Sequence, residues 1–263
     1  MPNESVKKTL GVALGVCLVC SILVSSAAVA LRSIQSENRE RERLKNILEA
    51  GGFLEEGVDI RPTYERTIRP ALIRLATGEI LQSDAYPPGV NPNQFDVKEV
   101  GRDPNLSDPL PQDEDPAHIR RLPHVMTVYR VVDNETVRQL ILPVYGKGLW
   151  STLYGFLSID ADGVTIRGFT FYEHAETPGL GGEVDNPRWK AQWAGKLAFD
   201  AAGNVRISVL KGLVDASSPD ACFQVDGLSG STLTTRGVDR LVRFWLGERG
   251  YGPFLRTLRT KGL

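Results

Sequence analysis

The feature that most constrains this chain is an uncharged run of twenty-two residues from Leu10 to Leu31. Lys7 and Lys8 precede the run and Arg32 follows it. At a rise of about 1.5 Å per residue, a helix of this length spans about 33 Å, which matches the roughly 30 Å hydrocarbon core of a bilayer. The run therefore predicts a single membrane-spanning helix near the N-terminus.

A cleaved signal peptide is the alternative interpretation of the same run, because Ala28-Val29-Ala30 has the small-residue spacing that a signal peptidase accepts. We favour the anchor, since the apolar region of a signal peptide usually has only about 7–15 residues. Charge leaves the orientation open. Five basic residues follow the run, up to Lys45, but they are mixed with three glutamates, and long domains translocate largely regardless of charge.

The anchor, residues 1–33, is predicted to be followed by an intermediate segment, residues 34–120. Residues 34–50 are rich in helix formers and end at Gly51-Gly52, which predicts a juxtamembrane helix. Residues 87–123 are rich in Pro, Asp and Asn, which predicts an exposed excursion rather than a core element.

Between these parts, residues 60–81 fit either a helix or a pair of strands broken at Pro70, and the sequence leaves both open. After residue 120, β-branched and aromatic residues recur in short segments bounded by Gly, Asp or Asn. The predicted strands are HVMTVYRVVD (124–133), TVRQLILPVY (136–145), YGFLSID (154–160), GVTIRGFTFYEH (163–174), GKLAFD (195–200) and NVRISVLKG (204–212).

Asp162-Gly163 and Ala202-Gly203-Asn204 are typical of hairpin turns, and residues 238–246 have apolar positions at helical spacing up to Gly247 or Gly250. Residues 121–263 are therefore predicted to form one domain. The expected fold class is α+β: a single transmembrane helix followed by a mainly antiparallel β-sheet with flanking helices.

Composition excludes several functions. The net charge of −1 gives no cationic surface for nucleic acid. Two of the three cysteines, Cys17 and Cys20, lie within the apolar run, where two small apolar residues are the simpler interpretation. The chain has no Ser-His-Asp order, no metal-ligand cluster and no nicotinamide fingerprint, so neither catalytic residues nor a metal site are predicted.

Two segments exceed what core or turn roles require. The first, Tyr172–Trp193, contains Gly179, Gly181 and Gly182, which let backbone amides approach a ligand closely. The second, Asp226–Thr235, has four hydroxyl residues besides Ser229, two glycines and an acid just before the predicted C-terminal helix. A helix N-terminus favours a bound phosphate.

Together these segments and a third make the chain resemble a known family. The GLWSTLYGFL stretch (148–157), the ETPGLGGEVDNPRW stretch (176–189) and the DGLSGSTLT stretch (226–234) occur in this order after an N-terminal anchor. This set is similar to the C subunit of the sodium-translocating NADH:quinone reductase, with the G subunit of the Rnf complex as a more distant relative. The resemblance covers most of the chain.

The resemblance implies an FMN-binding domain in which FMN is esterified covalently to the last Thr of an Asp-x-x-Ser/Thr-Gly-Ala-Thr pattern. Here that residue is Thr232, and the residues that match the pattern are Asp226, Ser229 and Gly230. Ser231 stands where the family usually has Ala, and its hydroxyl is a minor rival for the attachment. Thr234 and Thr235 are weaker rivals, because they lie beyond the matched pattern.

The resemblance also implies contacts to the flavin. Thr177 and the backbone of Leu180 and Gly181 are expected to bond the isoalloxazine ring, and Glu176 to order the loop that carries them. Leu149 and Trp150 match a stretch that could line the ribityl and phosphate region.

As a member of that family, the chain would relay electrons from NADH towards ubiquinone within a sodium pump of six subunits, after a flavin transferase has attached the FMN. NADH oxidation and quinone reduction would belong to other membrane subunits. The expected location is the bacterial inner membrane, with the soluble body in the periplasm. The alternatives are a non-redox assembly subunit, whose glycine-rich loop and hydroxyl cluster only bind a neighbour, and an Rnf-type electron-transport subunit.

Overall fold

The computed structural model describes residues 6–55 and 57–262. The chain divides into two compact units, Met1–Leu44 and Lys45–Leu263. Residues 45–120 thus lie in the same compact unit as residues 121–263.

The N-terminal run lies in a helix, α1, which extends over Val6–Ala50. In the part of α1 that belongs to the first compact unit, the apolar side chains are exposed. The helix is long and apolar enough to cross a membrane. The predicted juxtamembrane helix is the C-terminal part of the same element. It ends immediately before Gly51-Gly52, as expected.

The second unit is built on one antiparallel sheet of six strands in the order β2-β1-β5-β6-β7-β8. Its strands are β1 (Ile68–Arg74), β2 (Glu79–Ile80), β5 (Val125–Asp133), β6 (Thr136–Lys147), β7 (Thr152–Asp160) and β8 (Ile166–Glu173). Four of the six predicted strands are confirmed in β5 to β8. Their central residues are buried almost continuously, which suits the β-branched and aromatic residues that predicted them.

The remaining elements surround this sheet. The helices are α2 (Ile60–Thr67), α3 (Val97–Arg102), α4 (Pro187–Ala191), α5 (Thr232–Leu246) and α6 (Gly252–Lys261). Short strands pair as β3 (Ser107–Pro109) with β4 (Arg121–Pro123), and β9 (Ser208–Val209) with β10 (Gln224–Val225). Single 3₁₀ turns cover Ser83–Ala85, Pro92–Gln94, Gln112–Glu114, Gly181–Asp185 and Ala221–Phe223. The fold class is thus α+β with a mainly antiparallel sheet, as predicted.

The undecided segment 60–81 contains α2, β1 and β2. Pro70 lies inside β1, opposite Tyr129 of β5. On its other side β1 pairs with β2 only at Ile73 and Arg74. Pro70 therefore lies at an edge of the sheet, where the missing N–H of proline is tolerated.

Three sequence expectations are wrong in detail: the exposed excursion at residues 87–123 and the strands at residues 195–200 and 204–212. Residues 87–123 are not simply an exposed excursion, because Phe95, Val97 and Val100 are buried in the core. Residues 195–212 form isolated bridges and the two-residue β9 instead of two strands. Phe199, Ile207 and Val209 are buried in the core there, so the β-branched and aromatic residues that suggested two strands serve core packing instead.

The turns and the C-terminal helix follow the prediction more closely. Gly163 and Gly203 both have positive φ, 67° and 86°. Helix α5 ends before Gly247 as expected but begins at Thr232, six residues earlier than residue 238. Helix α6 was not predicted.

Helix α5 packs on β6, and this contact positions the functional segments. The Trp245 Nε1–H donates to the Tyr145 carbonyl oxygen at 2.6 Å, and the Trp245 ring is fully buried. Closer to the start of the helix, a Cβ on Gly237 would lie 2.5 Å from the Lys147 carbonyl oxygen. Glycine therefore lets the first turns of α5 approach the end of β6.

Two tyrosines with buried hydroxyls, Tyr251 and Tyr145, allow a paired prediction about the free energy of unfolding. The Tyr251 hydroxyl donates to the Pro143 carbonyl oxygen at 2.7 Å, whereas the Tyr145 hydroxyl has no hydrogen-bond partner within residues 6–55 and 57–262. Tyr251→Phe should lower the free energy of unfolding by about 1–2 kcal/mol, because it leaves a buried carbonyl unpaired. Tyr145→Phe should leave it unchanged or raise it. Guanidinium unfolding of the two variants measures the difference, and equal losses would contradict it.

Candidate functional site

Three segments that are distant in sequence line one cavity of about 370 Å³. One segment follows β6, one follows β8, and one forms the start of α5. The lining residues are Leu149, Trp150, Glu176, Thr177, Leu180, Gly181, Gly230, Ser231, Thr232, Leu233 and Thr234. The structure thus brings together nine of the eleven residues that the sequence singled out.

The carboxylate of Glu176 joins the three segments. Its Oε1 accepts the Trp150 N–H at 3.0 Å and both the N–H and the hydroxyl of Ser151, at 3.1 and 3.3 Å. Its Oε2 accepts the Leu149 N–H at 3.2 Å and the Thr234 hydroxyl at 2.7 Å. Glu176 is only 5% exposed, and five donors satisfy a buried charge that would otherwise be costly.

These bonds set the charge of Glu176. Burial acts to raise the pKa of the carboxyl, but the hydrogen bonds from Thr234, Ser151, Trp150 and Leu149 outweigh it and hold the pKa below its ordinary value of 4.5. Glu176 is therefore an anion whose hydrogen bonds hold the surrounding segments together.

The loops close tightly around this carboxylate. A Cβ on Gly148 would lie 2.6 Å from Glu176 Oε1, and a Cβ on Gly181 would lie 2.6 Å from the Thr234 hydroxyl oxygen. Only glycine fits at either position without displacing the network. Gly148 and Gly181 therefore serve the packing of Glu176 as well as access to the cavity.

Burial separates the hydroxyls of the 226–235 segment. The Ser231 hydroxyl donates to Thr234 at 3.0 Å, Thr234 donates to Glu176, and Thr235 donates to the Ser231 carbonyl at 2.9 Å. All three of these residues are buried. The Thr232 and Ser229 hydroxyls make no hydrogen bond with another described residue, and only Thr232 lines the cavity.

Thr232 is also the first residue of α5, with its side chain half-buried. The free amides and the dipole of a helix N-terminus favour an anion, and the first turn of α5 contains no acidic residue. The N-terminus of the helix thus faces the cavity with no acidic residue on its own first turn, while the Glu176 carboxylate of another segment bonds Thr234 on that turn.

The structure places Asp226 and Ser229 outside the cavity lining. The Asp226 carboxylate accepts the Val214 N–H at 2.6 Å, and its carbonyl accepts the Trp189 Nε1–H at 2.8 Å. Asp226 therefore fixes the loop that leads into α5. Ser229 is exposed on that loop.

Two contributors were missed from sequence. Ser151 gives Glu176 two hydrogen bonds, and Leu233 forms part of the cavity wall although it is 55% exposed. Leu233 could have been found, since it is an apolar residue in an otherwise polar helix start. Ser151 lies within the family stretch 148–157, but nothing in that stretch marks it as a hydrogen-bond partner of Glu176.

The rim of the cavity is apolar and open. Trp150 is 67% exposed, Leu180 44% and Leu149 37%. Lys147, which lies next to this segment, directs its Nζ to the Trp150 carbonyl oxygen at 2.9 Å and so supports the rim.

The histidine nearest the site has a structural role. His174 pairs with Asp185 through Nε2 at 2.7 Å, and its Nδ1 accepts the Glu176 N–H at 3.2 Å. Within the part of the chain that the structure describes, no group of His, Cys, Asp and Glu side chains could hold a metal ion.

Glu176→Gln should lower the free energy of unfolding by about 2–4 kcal/mol, because the amide group turns a donor towards buried N–H groups. Glu173→Gln is the matched control: Glu173 forms a half-exposed ion pair with Lys98 at 2.5 Å, so its loss should stay below about 1 kcal/mol. Urea unfolding of both variants tests this, and similar losses would refute the special position of Glu176.

The lowered pKa of Glu176 also predicts a pH dependence. The unfolded chain binds the proton more readily near pH 4.5 than the folded chain does, so the stabilisation is fully present above about pH 5 and is lost as pH falls below that value. The difference in unfolding free energy between the parent and Glu176→Gln should therefore shrink from about pH 6 to about pH 3. A difference that stays constant over this range would show that the carboxylate charge contributes nothing.

The comparisons with known proteins agree with this geometry. Residues 148–247 match the model of the family described as FMN-binding domain, which includes all three cavity segments. The chain is 48% identical over 260 residues to the C subunit of the Na(+)-translocating NADH-quinone reductase of Pseudomonas aeruginosa, covering 98% of this chain and 97% of that protein. It is 44% identical to the corresponding C subunit of Yersinia pestis, with 99% and 96% covered.

Solved structures show the same fold. The crystal structure of NqrC from Shewanella oneidensis matches with a TM-score of 0.75 and 33% identity, covering 85% of this chain and all of that one. The crystal structure of the C subunit from Parabacteroides distasonis matches with a TM-score of 0.65 and 27% identity, covering 86% and 96%. The sequence identity extends over nearly the full length of the relatives, the fold matches, and the FMN-binding domain match includes the cavity segments. The chain therefore belongs to the family of C subunits of the Na+-translocating NADH-quinone reductases.

Proposed function

We propose that this chain carries FMN as a phosphoester on Thr232 and uses it to relay electrons within a Na+-translocating NADH-quinone reductase complex. The observation that carries the proposal is the state of Thr232: its hydroxyl is unbonded among the described residues, lines the cavity and lies at the start of α5, inside the FMN-binding match. Ser231, Thr234 and Thr235 are buried and their hydroxyls are already hydrogen-bonded, which weighs against them as attachment sites.

The residues around the cavity fit the group. A volume of about 370 Å³ lies within the usual range for small-molecule sites, about 300–1,000 Å³. Apolar side chains of Leu149, Trp150, Leu180 and Leu233 offer surface for a planar ring. The helix N-terminus at Thr232 suits a phosphate.

Each part of the site then has a task. Thr232 would hold the cofactor: its Oγ would displace the leaving group of a flavin phosphate donor at phosphorus, the hydroxyl proton would leave with that group, and the new P–O bond would tie FMN to the chain. Thr177 and the backbone of Leu180 and Gly181 orient the ring, and Glu176 keeps their loop and the Leu149–Trp150 segment in register. Ser229 and Gly230 shape the turn before Thr232, and Asp226 anchors that turn. Bound flavin supplies the redox chemistry, while the protein supplies binding, orientation and electrostatics.

A covalent carrier needs no substrate pocket of its own and is not lost by dissociation. We therefore assign NADH oxidation and quinone reduction to other membrane subunits of a complex of six, and expect no turnover of either substrate by the isolated chain. Helix α1 would hold the chain in the bacterial inner membrane, with the soluble unit in the periplasm, where a flavin transferase would attach the FMN.

The two alternatives lose support. The relatives from Pseudomonas aeruginosa and Yersinia pestis are named as parts of the quinone reductase, which favours that complex over an Rnf-type one. A purely structural assembly subunit would have no use for an unbonded hydroxyl directed at a cavity with an open apolar rim.

Mass spectrometry tests the attachment. The full chain, co-expressed with a flavin transferase, should gain the mass of one FMN less one water on the peptide that holds Thr232, and its denatured band should fluoresce under ultraviolet light. Thr232→Ala should lose both signals. Ser231→Ala is the matched control and should keep both, because the Ser231 hydroxyl is buried and bonded to Thr234. Flavin that washes out on denaturation, or a label retained by Thr232→Ala, would disprove the ester.

A further inference from the structure

The start of α5 combines two sources of positive charge. The first turn of the helix, from Thr232, has no acidic residue. Arg236 follows one turn later and is exposed. A cation near the N-terminus of a helix is repelled by the helix dipole. The Glu176 carboxylate, which accepts the Thr234 hydroxyl on this turn, is already satisfied by five hydrogen bonds, none of them from Arg236.

Helix geometry directs Arg236 towards Thr232. Residues four apart lie on the same face of a helix with their Cβ atoms about 5–6 Å apart. Side chains in a helix also lean towards its N-terminus, so a residue covers the turn before its own Cα. The guanidinium of Arg236 can therefore reach a group attached to Thr232 Oγ without any change in the helix.

Arg236 is available for such a contact. Across residues 6–55 and 57–262, its side chain forms no hydrogen bond and no ion pair, and the same is true of Arg240 one turn further on. Arg206 and Arg243 are engaged by contrast: Arg206 pairs with Asp220 at 2.7 Å, and Arg243 Nη1 donates to the Ile207 carbonyl oxygen at 3.5 Å.

We propose that Arg236 is the countercharge of the phosphodiester formed on Thr232. The inference rests on the proposed attachment of FMN and names a further residue of that site. A phosphodiester keeps one negative charge at any working pH, and the planar guanidinium can donate two N–H groups to its oxygens. The phosphate would satisfy the cation and the helix N-terminus together.

This role predicts opposite effects in the two forms of the protein. Without flavin, Arg236 is repelled by the helix dipole, so Arg236→Gln should leave the melting temperature unchanged or raise it slightly. With flavin, the same change removes an ion pair and should lower the melting temperature by roughly 1–4 °C. An arginine that served only packing would give the same loss in both forms.

The experiment compares the full chain in detergent, produced with and without a flavin transferase, for the parent, Arg236→Gln and Arg240→Gln. Fluorescence of the denatured band first establishes that the loaded samples carry equal flavin. We expect a loss confined to loaded Arg236→Gln that shrinks in about 0.5 M salt, because screening weakens an exposed ion pair. Arg240→Gln, two turns from Thr232, should behave as the parent does in both forms.

Two results would overturn the inference while leaving the attachment intact: equal melting temperatures of the loaded parent and loaded Arg236→Gln, or equal losses with and without flavin. A denatured parent band without fluorescence would instead remove the covalent attachment, and the role of Arg236 with it.

Discussion

The site depends on the buried carboxylate of Glu176. Charged groups are rarely buried without partners, and here the partners are supplied by the segment after β6 and by the start of α5. The same five hydrogen bonds that keep Glu176 ionised hold the walls of the cavity at fixed positions. The sheet provides the frame, since β6 and β8 end on either side of β7, but the frame alone would leave three independent loops.

The sequence predicted those parts of the fold whose signal is local. Strands β5 to β8 are rich in β-branched and aromatic residues, and the connection between β7 and β8 has the predicted Asp162-Gly163 turn, so pattern and structure agree. Residues 87–123 misled because Pro and Asp dominate their composition while a few apolar residues, Phe95 among them, reach the core. The early start of α5 was missed because Thr232, Thr234 and Thr235 resemble a capping segment, whereas tertiary contacts bury two of them within the first turn.

Much of the candidate site could also be predicted, because family motifs mark its three segments. The motifs could not show which of their residues has which structural role. Asp226 and Thr232 lie six residues apart in one motif, yet one fixes a loop through Val214 and the other faces the cavity. Glycines at 148 and 181 suggest access for a ligand, but their neighbours are Glu176 and Thr234. Such roles depend on which side chain is buried against which, and that is settled by long-range packing.

The separation of the hydroxyls has a consequence for biogenesis. In an unfolded chain Ser231, Thr232, Thr234 and Thr235 are chemically similar and equally accessible. They become different only when the Glu176–Thr234 bond, which joins residues 58 positions apart, has formed. Folding therefore sets one hydroxyl of this cluster apart from the others, and the attachment proposed for Thr232 uses the cavity-lining hydroxyl that the assembled sheet and C-terminal helix leave unbonded among the described residues.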